Sequence, residues 1–382
     1  MHKVISFYKY IEIKNPEELM TYLRDKCNNL NILGRILIGK EGINGAVCGK
    51  VNNIEYFKNW ISSDSLLNGL FSNLTFREQE EKSQVYHKLV TRIKDEIVAL
   101  GVNVDLNKKG GHISPEKLKE LLDNKEDIVL LDARNKYEAE VGKFKNAIIL
   151  PIDNFRELPK AIEKNIELNK IKEERGKNNK KIVMYCTGGV RCEKSSALLK
   201  EKGFKEVYQL EGGIINYVNQ FPNTHYEGSC YVFDDRKVSD VSSTIISKCN
   251  ICDEKTSSYI NCHNLDCDKL FICCMGCQKK LNKCCSEECK SSDRQRPNDK
   301  KIKDENKKYV GKEIGEVRNY FQKKGIAEVK FNRNLDQIKK IIIDGNKTDK
   351  LEVEIEKIID HGEGVYTFPI SKKVRRNDKV YV

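Results

Sequence analysis

Two thiols, one guanidinium and two glycines fall within seven consecutive residues, Cys186-Thr187-Gly188-Gly189-Val190-Arg191-Cys192. A cysteine becomes a nucleophile when its thiolate is stabilised, and positive charge or converging backbone N–H groups do this. The flanking sequence supplies both. KIVMYC reads as a short apolar strand, and RCEKSSALLKEKG reads as a helix ending near Gly203. A strand, a glycine turn and a helix aim N–H groups and the positive helix end at the turn. Gly188 and Gly189 let the backbone curl, and Arg191 adds a fixed charge suited to an oxyanion. Cys186 is therefore the candidate nucleophile, with Thr187, Gly188, Gly189, Val190 and Arg191 as its cradle. Cys192 begins the helix and has two readings, a thiol that resolves an oxidised Cys186 or a buried packing residue.

Spacing narrows the chemistry. Four residues separate Cys186 from Arg191. Cysteine phosphatases need a loop one residue longer to surround a phosphate, so this ring suits a sulfur atom carried on the cysteine as a persulfide. Five residues between Cys186 and Cys192 make a poor zinc clip.

A second set of thiols lies downstream. Ten of the fifteen cysteines fall between Cys249 and Cys289. Such density in a reducing compartment points to metal rather than disulfides. The CxxC pairs Cys249/Cys252 and Cys274/Cys277 have the spacing of a four-cysteine zinc site, and Cys262, Cys267, Cys285 and Cys289 can form another. A structural zinc is expected, with an iron–sulfur cluster as the rival. His263 reads as a surface residue.

The elements that position these groups divide the chain. Residues 1–110 follow the order β-α-β-β-α-β, which predicts a ferredoxin-like sandwich. Asn15 and Pro16 mark the first helix start. Residues 111–222 alternate apolar strands (DIVLLDAR, KIVMYC, EVYQLEGG) with helices, predicting a parallel α/β sheet covered on both faces. Ligands bind beyond the carboxyl ends of such strands, where Asp132, Arg134 and Cys186 all fall. Residues 223–290 form the Cys-rich module, 291–308 a polar linker, and 309–382 a small β-rich, barrel-like domain.

Bulk properties exclude some classes. The 382 residues carry 69 basic and 57 acidic side chains, a net charge of +12 that eases approach to a polyanion. No apolar run approaches the ~20 residues of a membrane span, and MHKVISFYKY lacks a signal peptide's apolar segment. The cytoplasm is the expected compartment.

CTGGVRCEKSS together with YQLEGGI resembles a rhodanese domain. GRILIGKEGINGAVCG, KDEIVALG, LLDARNKYEAEVGKFKNAI, YQLEGGIINY and EGSCYVFDDR extend the likeness. Over about residues 1–290 the chain resembles the rhodanese-containing tRNA uridine hydroxylase family. The resemblance implies oxygen-dependent hydroxylation of the wobble uridine at C5 in the tRNA anticodon region. It implies that Cys186 is the active-site, persulfide-bearing residue and that Asp132 and Arg134 lie at the same mouth, a structural ion pair being the alternative for those two. The N-terminal domain would hold RNA, with Arg35, Lys40, Arg92 and Lys94 as contacts. No flavin or nicotinamide motif accompanies the loop, so the sulfur or electron donor is open. A rhodanese-type sulfurtransferase is the competing enzyme, and an RNA- or protein-binding module the non-enzymatic reading. The tail faintly resembles the β-barrel of collagenase-like peptidases.

Overall fold

The computed structural model describes residues 1–173, 180–296 and 313–382, apart from 323, 333–334, 336–337, 339, 346–347, 349 and 356–357. Residues 297–308 of the expected linker lie outside the described residues. The chain divides into two compact units, residues 1–247 with 255–258, and residues 248–254 with 259–382.

The first unit starts with β1 (His2–Tyr10), α1 (Pro16–Asn29), β2 (Leu33–Gly39), β3 (Gly42–Lys50), α2 (Val51–Ser63), β4 (Phe76–Glu81) and β5 (Leu89–Ile93). The sheet runs β4-β1-β3-β2-β5, the split βαβ arrangement expected of a ferredoxin-like domain with one added edge strand. The helix signals act as read: Asn15 accepts the Glu18 N–H at 3.3 Å, and Pro16 opens α1. Side chains alternate across β1. Ile5 and Phe7 are buried with Leu23, Phe57 and Trp60 from the helices. Ser6, Tyr8 and Tyr10 therefore point to the opposite face. KDEIVALG carries no strand: β5 stops at Ile93, and its backbone is instead used by side chains, such as Asn44 Nδ2 donating to the Ile97 carbonyl at 3.1 Å.

The same unit continues with β6 (Gly111–Ile113), α3 (Pro115–Asp123), β7 (Ile128–Asp132), α4 (Lys136–Glu140), β8 (Gly142–Phe144), β9 (Ile148–Ile149), α5 (Leu158–Lys164), α6 (Ile166–Glu173), β10 (Lys181–Tyr185), α7 (Val190–Glu201), β11 (Val207–Leu210) and α8 (Gly213–Gln220). The sheet is β6-β11-β10-β7-β9 with every pairing parallel. Apolar clusters cover both faces, one around Leu131, Met184 and Leu199, the other around Leu130, Val183 and Ile214. This is why the strands read as unbroken apolar runs.

In the second unit a hairpin (Tyr259–Asn261 with Leu270–Ile272) and two short helices (Met275–Lys280, Glu287–Lys290) frame the cysteines, most of which lie in the turns between them. The β-rich tail is a seven-stranded antiparallel sheet. Its core gathers Ile314, Val329, Phe331, Ile341 and Phe368. Asp268 accepts from Arg296 at 2.6 Å and from Arg375 at 2.8 Å, joining the cysteine hairpin to the end of the chain.

Candidate active site

The turn between β10 and α7 forms because Gly189 adopts φ 96°, a left-handed conformation a side chain would strain. Its N–H donates to the Cys186 sulfur at 3.1 Å. Gly213 presses on the other flank: a Cβ there would sit 2.5 Å from the Cys186 carbonyl oxygen. The following N–H groups hold the loop directly, Ile214 to the Cys186 carbonyl (2.9 Å) and Ile215 to that of Thr187 (3.2 Å). The loop is thus fixed from two helices.

Cys186 is fully buried. Burial alone opposes ionisation. It is outweighed by a hydrogen bond from Cys192, by the Arg191 charge, and by the N–H groups of Arg191 and Gly189, which together lower the thiol to about 5. Burial and the neighbouring thiolate push Cys192 upward, so it is the protonated member of the pair. At neutral pH Cys186 is a thiolate with a thiol donor beside it. The Thr187 hydroxyl is buried without a hydrogen-bond partner, leaving a donor free for a sulfur atom carried on Cys186. Titration of carbon-labelled cysteine by NMR is expected to show the Cys186 resonance moving with a midpoint near pH 5, thiolate above and thiol below. A midpoint near the ordinary ~8.5 would contradict the cradle.

Arg191 does not stand free. Its guanidinium grips Glu138 through two bonds, 2.6 and 2.7 Å. Glu138 Oε1 also accepts the Asn135 N–H at 3.1 Å. Sequence reading missed Glu138, although the Asn-x-x-Glu spacing of a helix start was visible. Asp132 and Arg134 are wholly buried and paired with each other, Arg134 Nη2 to Asp132 Oδ2 at 2.7 Å. Arg134 also donates to the Gly142 carbonyl at 2.7 Å. Their geometry is that of a buried ion pair behind the loop. Removing one partner of such a pair costs roughly 3–5 kcal/mol by stranding the other charge.

The N-terminal sheet supplies residues that sequence reading did not single out. The Tyr8 hydroxyl donates to Glu193 at 3.0 Å, and the Tyr10 hydroxyl to the Val190 carbonyl at 3.2 Å. Burial and Glu193 raise the Tyr8 phenol, keeping it a donor. Burial disfavours the Glu193 carboxylate, but His112, Lys109 and their charges lower it to about 2. The alternation in SFYKY, with two tyrosines on the non-core side, was the available signal. Arg35, Lys40, Arg92 and Lys94 are exposed on this domain.

The cysteines converge as two quartets, Cys249/Cys252/Cys274/Cys277 and Cys262/Cys267/Cys285/Cys289, each with its sulfurs within 4.8 Å of one another. Separations of 3.6 Å (Cys252–Cys274), 3.8 Å (Cys267–Cys285) and 3.6 Å (Cys285–Cys289) exceed the ~2.05 Å of a disulfide. A tetrahedral ion with bonds of ~2.3 Å spaces its sulfurs by roughly 3.8 Å, so each quartet can hold one such ion. Clusters binding each cysteine to a different iron need wider spacing. His263 joins neither quartet and is buried rather than on the surface, because its backbone is pinned between Lys283 and Arg296.

Residues 2–97 match the UPF0176 acylphosphatase like domain, 114–220 the Rhodanese-like domain, and 227–290 the Rhodanase C-terminal domain. A Protochlamydia amoebophila protein named tRNA uridine(34) hydroxylase is 37% identical over 297 residues, 77% of this chain and 90% of its own length. This chain belongs to the tRNA uridine(34) hydroxylase family. Members from Cytophaga hutchinsonii (38% identity over 303 residues, 78% of this chain, 93% of that protein) and Chlamydia felis (37% over 295 residues, 76% and 87%) carry the same name. The rhodanese-like match spans the β10–α7 loop described above.

Proposed function

We propose that this chain hydroxylates the wobble uridine of tRNA anticodons at C5, with dioxygen as co-substrate. One conjunction carries the reading: a member of this family retains a thiolate-stabilising cradle around Cys186. Replacing C5–H by C5–OH withdraws two electrons from the base. Dioxygen takes four, so two more come from a thiol-class reductant, and the second oxygen atom leaves as water. Cys186 is assigned as the sulfur-carrying residue. Its thiolate attacks the sulfane sulfur of a donor, whose remaining group departs with the electron pair. Arg191 and the loop from Thr187 to Val190 hold that sulfur, and the Cys192 thiol, which keeps its proton, donates a hydrogen bond to the Cys186 side chain. Asp132 and Arg134 keep the strand end in register. Arg35, Lys40, Arg92 and Lys94 contact RNA phosphates. Each cysteine quartet holds a structural zinc, which ties the hairpin and helices together. The divisions 1–110, 111–222, 223–290, 291–308 and 309–382 serve as working domain limits, and the reaction is placed in the cytoplasm.

The test is purified protein with undermodified tRNA, a thiol reductant and isotopically labelled dioxygen. Label is expected in 5-hydroxyuridine by nucleoside mass spectrometry, and label from water instead would refute the oxygen assignment. A sulfurtransferase is the second reading, favoured by the unpartnered Thr187 hydroxyl beside Cys186. Rapid sulfur movement from thiosulfate to cyanide with no oxygen incorporated would establish it.

A further inference from the structure

The non-core face of the N-terminal sheet and the carboxyl edge of the rhodanese-like sheet enclose a cleft of about 430 Å³, with Tyr8, Thr75, Arg77, His112, Asn216 and Asn219 in its lining. That volume lies in the lower part of the ~300–1,000 Å³ range of ligand pockets, suited to one nucleotide. Arg77 stands out in it. Its guanidinium rests on the Tyr8 ring, 4.7 Å from the centroid. Arg77 Nε is buried without a hydrogen-bond partner, and the residue forms no ion pair among the described residues.

The carboxylates nearby are already engaged. Lys3 and Lys58 hold Glu78. Lys109 holds Glu193 at 2.7 Å, with His112 at 3.1 Å. Glu211 stands exposed at the cleft, where solvent and salt screen it. A guanidinium drawn partly out of water without a counter-charge is completed by an anion, and its fork fits phosphate. Its position follows from register. Ser6 pairs with Arg77, so Arg77 shares the face of Ser6 and Tyr8 that meets the loop. A Cβ added to Gly188 would lie 3.9 Å from Arg77 Cδ. Ser6 also pairs with Ala46, and Ala46 with Arg35, which puts exposed Arg35 on the same row, three strand steps or roughly 14 Å away.

Resting on the hydroxylase reading, we infer that this cleft seats the nucleotide next to the target uridine and that Arg77 clamps its phosphate, with Tyr8 holding the guanidinium in plane. The base to be modified then falls at the Cys186 loop, and the strand runs onward toward Arg35.

Fluorescence anisotropy with an anticodon stem-loop RNA and the full chain, repeated across salt concentrations, tests this without turnover. Arg77→Ala is expected to weaken binding about tenfold and to lower the salt slope by about one. Arg77→Lys is expected to keep the slope while recovering only part of the affinity. The Cys186 midpoint near pH 5 should persist in both variants, showing that the loop is intact. Unchanged affinity in Arg77→Ala, or weaker binding with an unchanged salt slope, would overturn the phosphate assignment. Oxygen labelling in the wild-type protein reports on the hydroxylase reading separately, so the two ideas fail by different measurements.

Discussion

Cys186→Ser is expected to cut 5-hydroxyuridine formation by on the order of a thousandfold or more while leaving the fold and RNA binding intact. The substitution keeps a small polar atom where the Gly189 N–H donates at 3.1 Å. It removes the ionisation. A serine hydroxyl stays protonated at neutral pH, whereas the Cys186 thiol, lowered to about 5, is almost wholly thiolate there. It also removes the atom that carries sulfur. The measurement is nucleoside mass spectrometry of tRNA from a deletion strain complemented with wild type or Cys186→Ser, beside melting curves of the purified variant. Wild-type levels of the modification with serine in place would sink the assignment of Cys186.

The second large effect concerns the quartets. Metal analysis of protein purified without oxygen is expected to give one zinc per quartet, two per chain, and Cys277→Ser should reduce this to one. Structural zinc contributes apparent binding free energies of about 10–16 kcal/mol in small domains, and that energy is folding energy where little other core exists. Here the core beneath the hairpin is built largely from the cysteines themselves, with Phe271 as the main apolar side chain. Loss of the ion should therefore open this segment to protease at low enzyme concentration. Cys267 belongs to the other quartet and is followed by Asp268, which binds Arg375, so it is Cys285→Ser that should loosen the end of the chain as well. Metal content unchanged by Cys277→Ser would exclude that quartet as a ligand set.

What the sequence made legible was local. The Cys186 loop is contiguous, so strand, glycine turn, arginine and helix could be read in order. The quartets were legible because cysteines able to share a metal ion recur at short, regular spacings. Pairings made by register or by packing were not. Nothing in Arg191 names Glu138, fifty-three residues earlier. Nothing in Arg77 announces that strand pairing sets it opposite Ser6 and beside Gly188. KDEIVALG forms no strand: Glu96 accepts from the Leu100 N–H within the same stretch and holds Lys194 from α7. His263 read as a surface residue, and the fold buried it through backbone bonds that composition does not encode.

That Lys194 contact has an engineering consequence. Its ammonium is almost entirely enclosed on α7, bound to Glu41 at 2.8 Å and Glu96 at 2.7 Å, both contributed from outside the rhodanese-like segment. Cutting the chain at that segment's edge would leave a charge without its counter-ions and two tyrosine hydroxyls absent from the same helix. The rhodanese-like segment is therefore not a portable cassette. Grafts that seek its thiol chemistry must carry the N-terminal sheet along, and libraries that shuffle the two halves should recombine only when Glu41, Glu96 and Lys194 travel together.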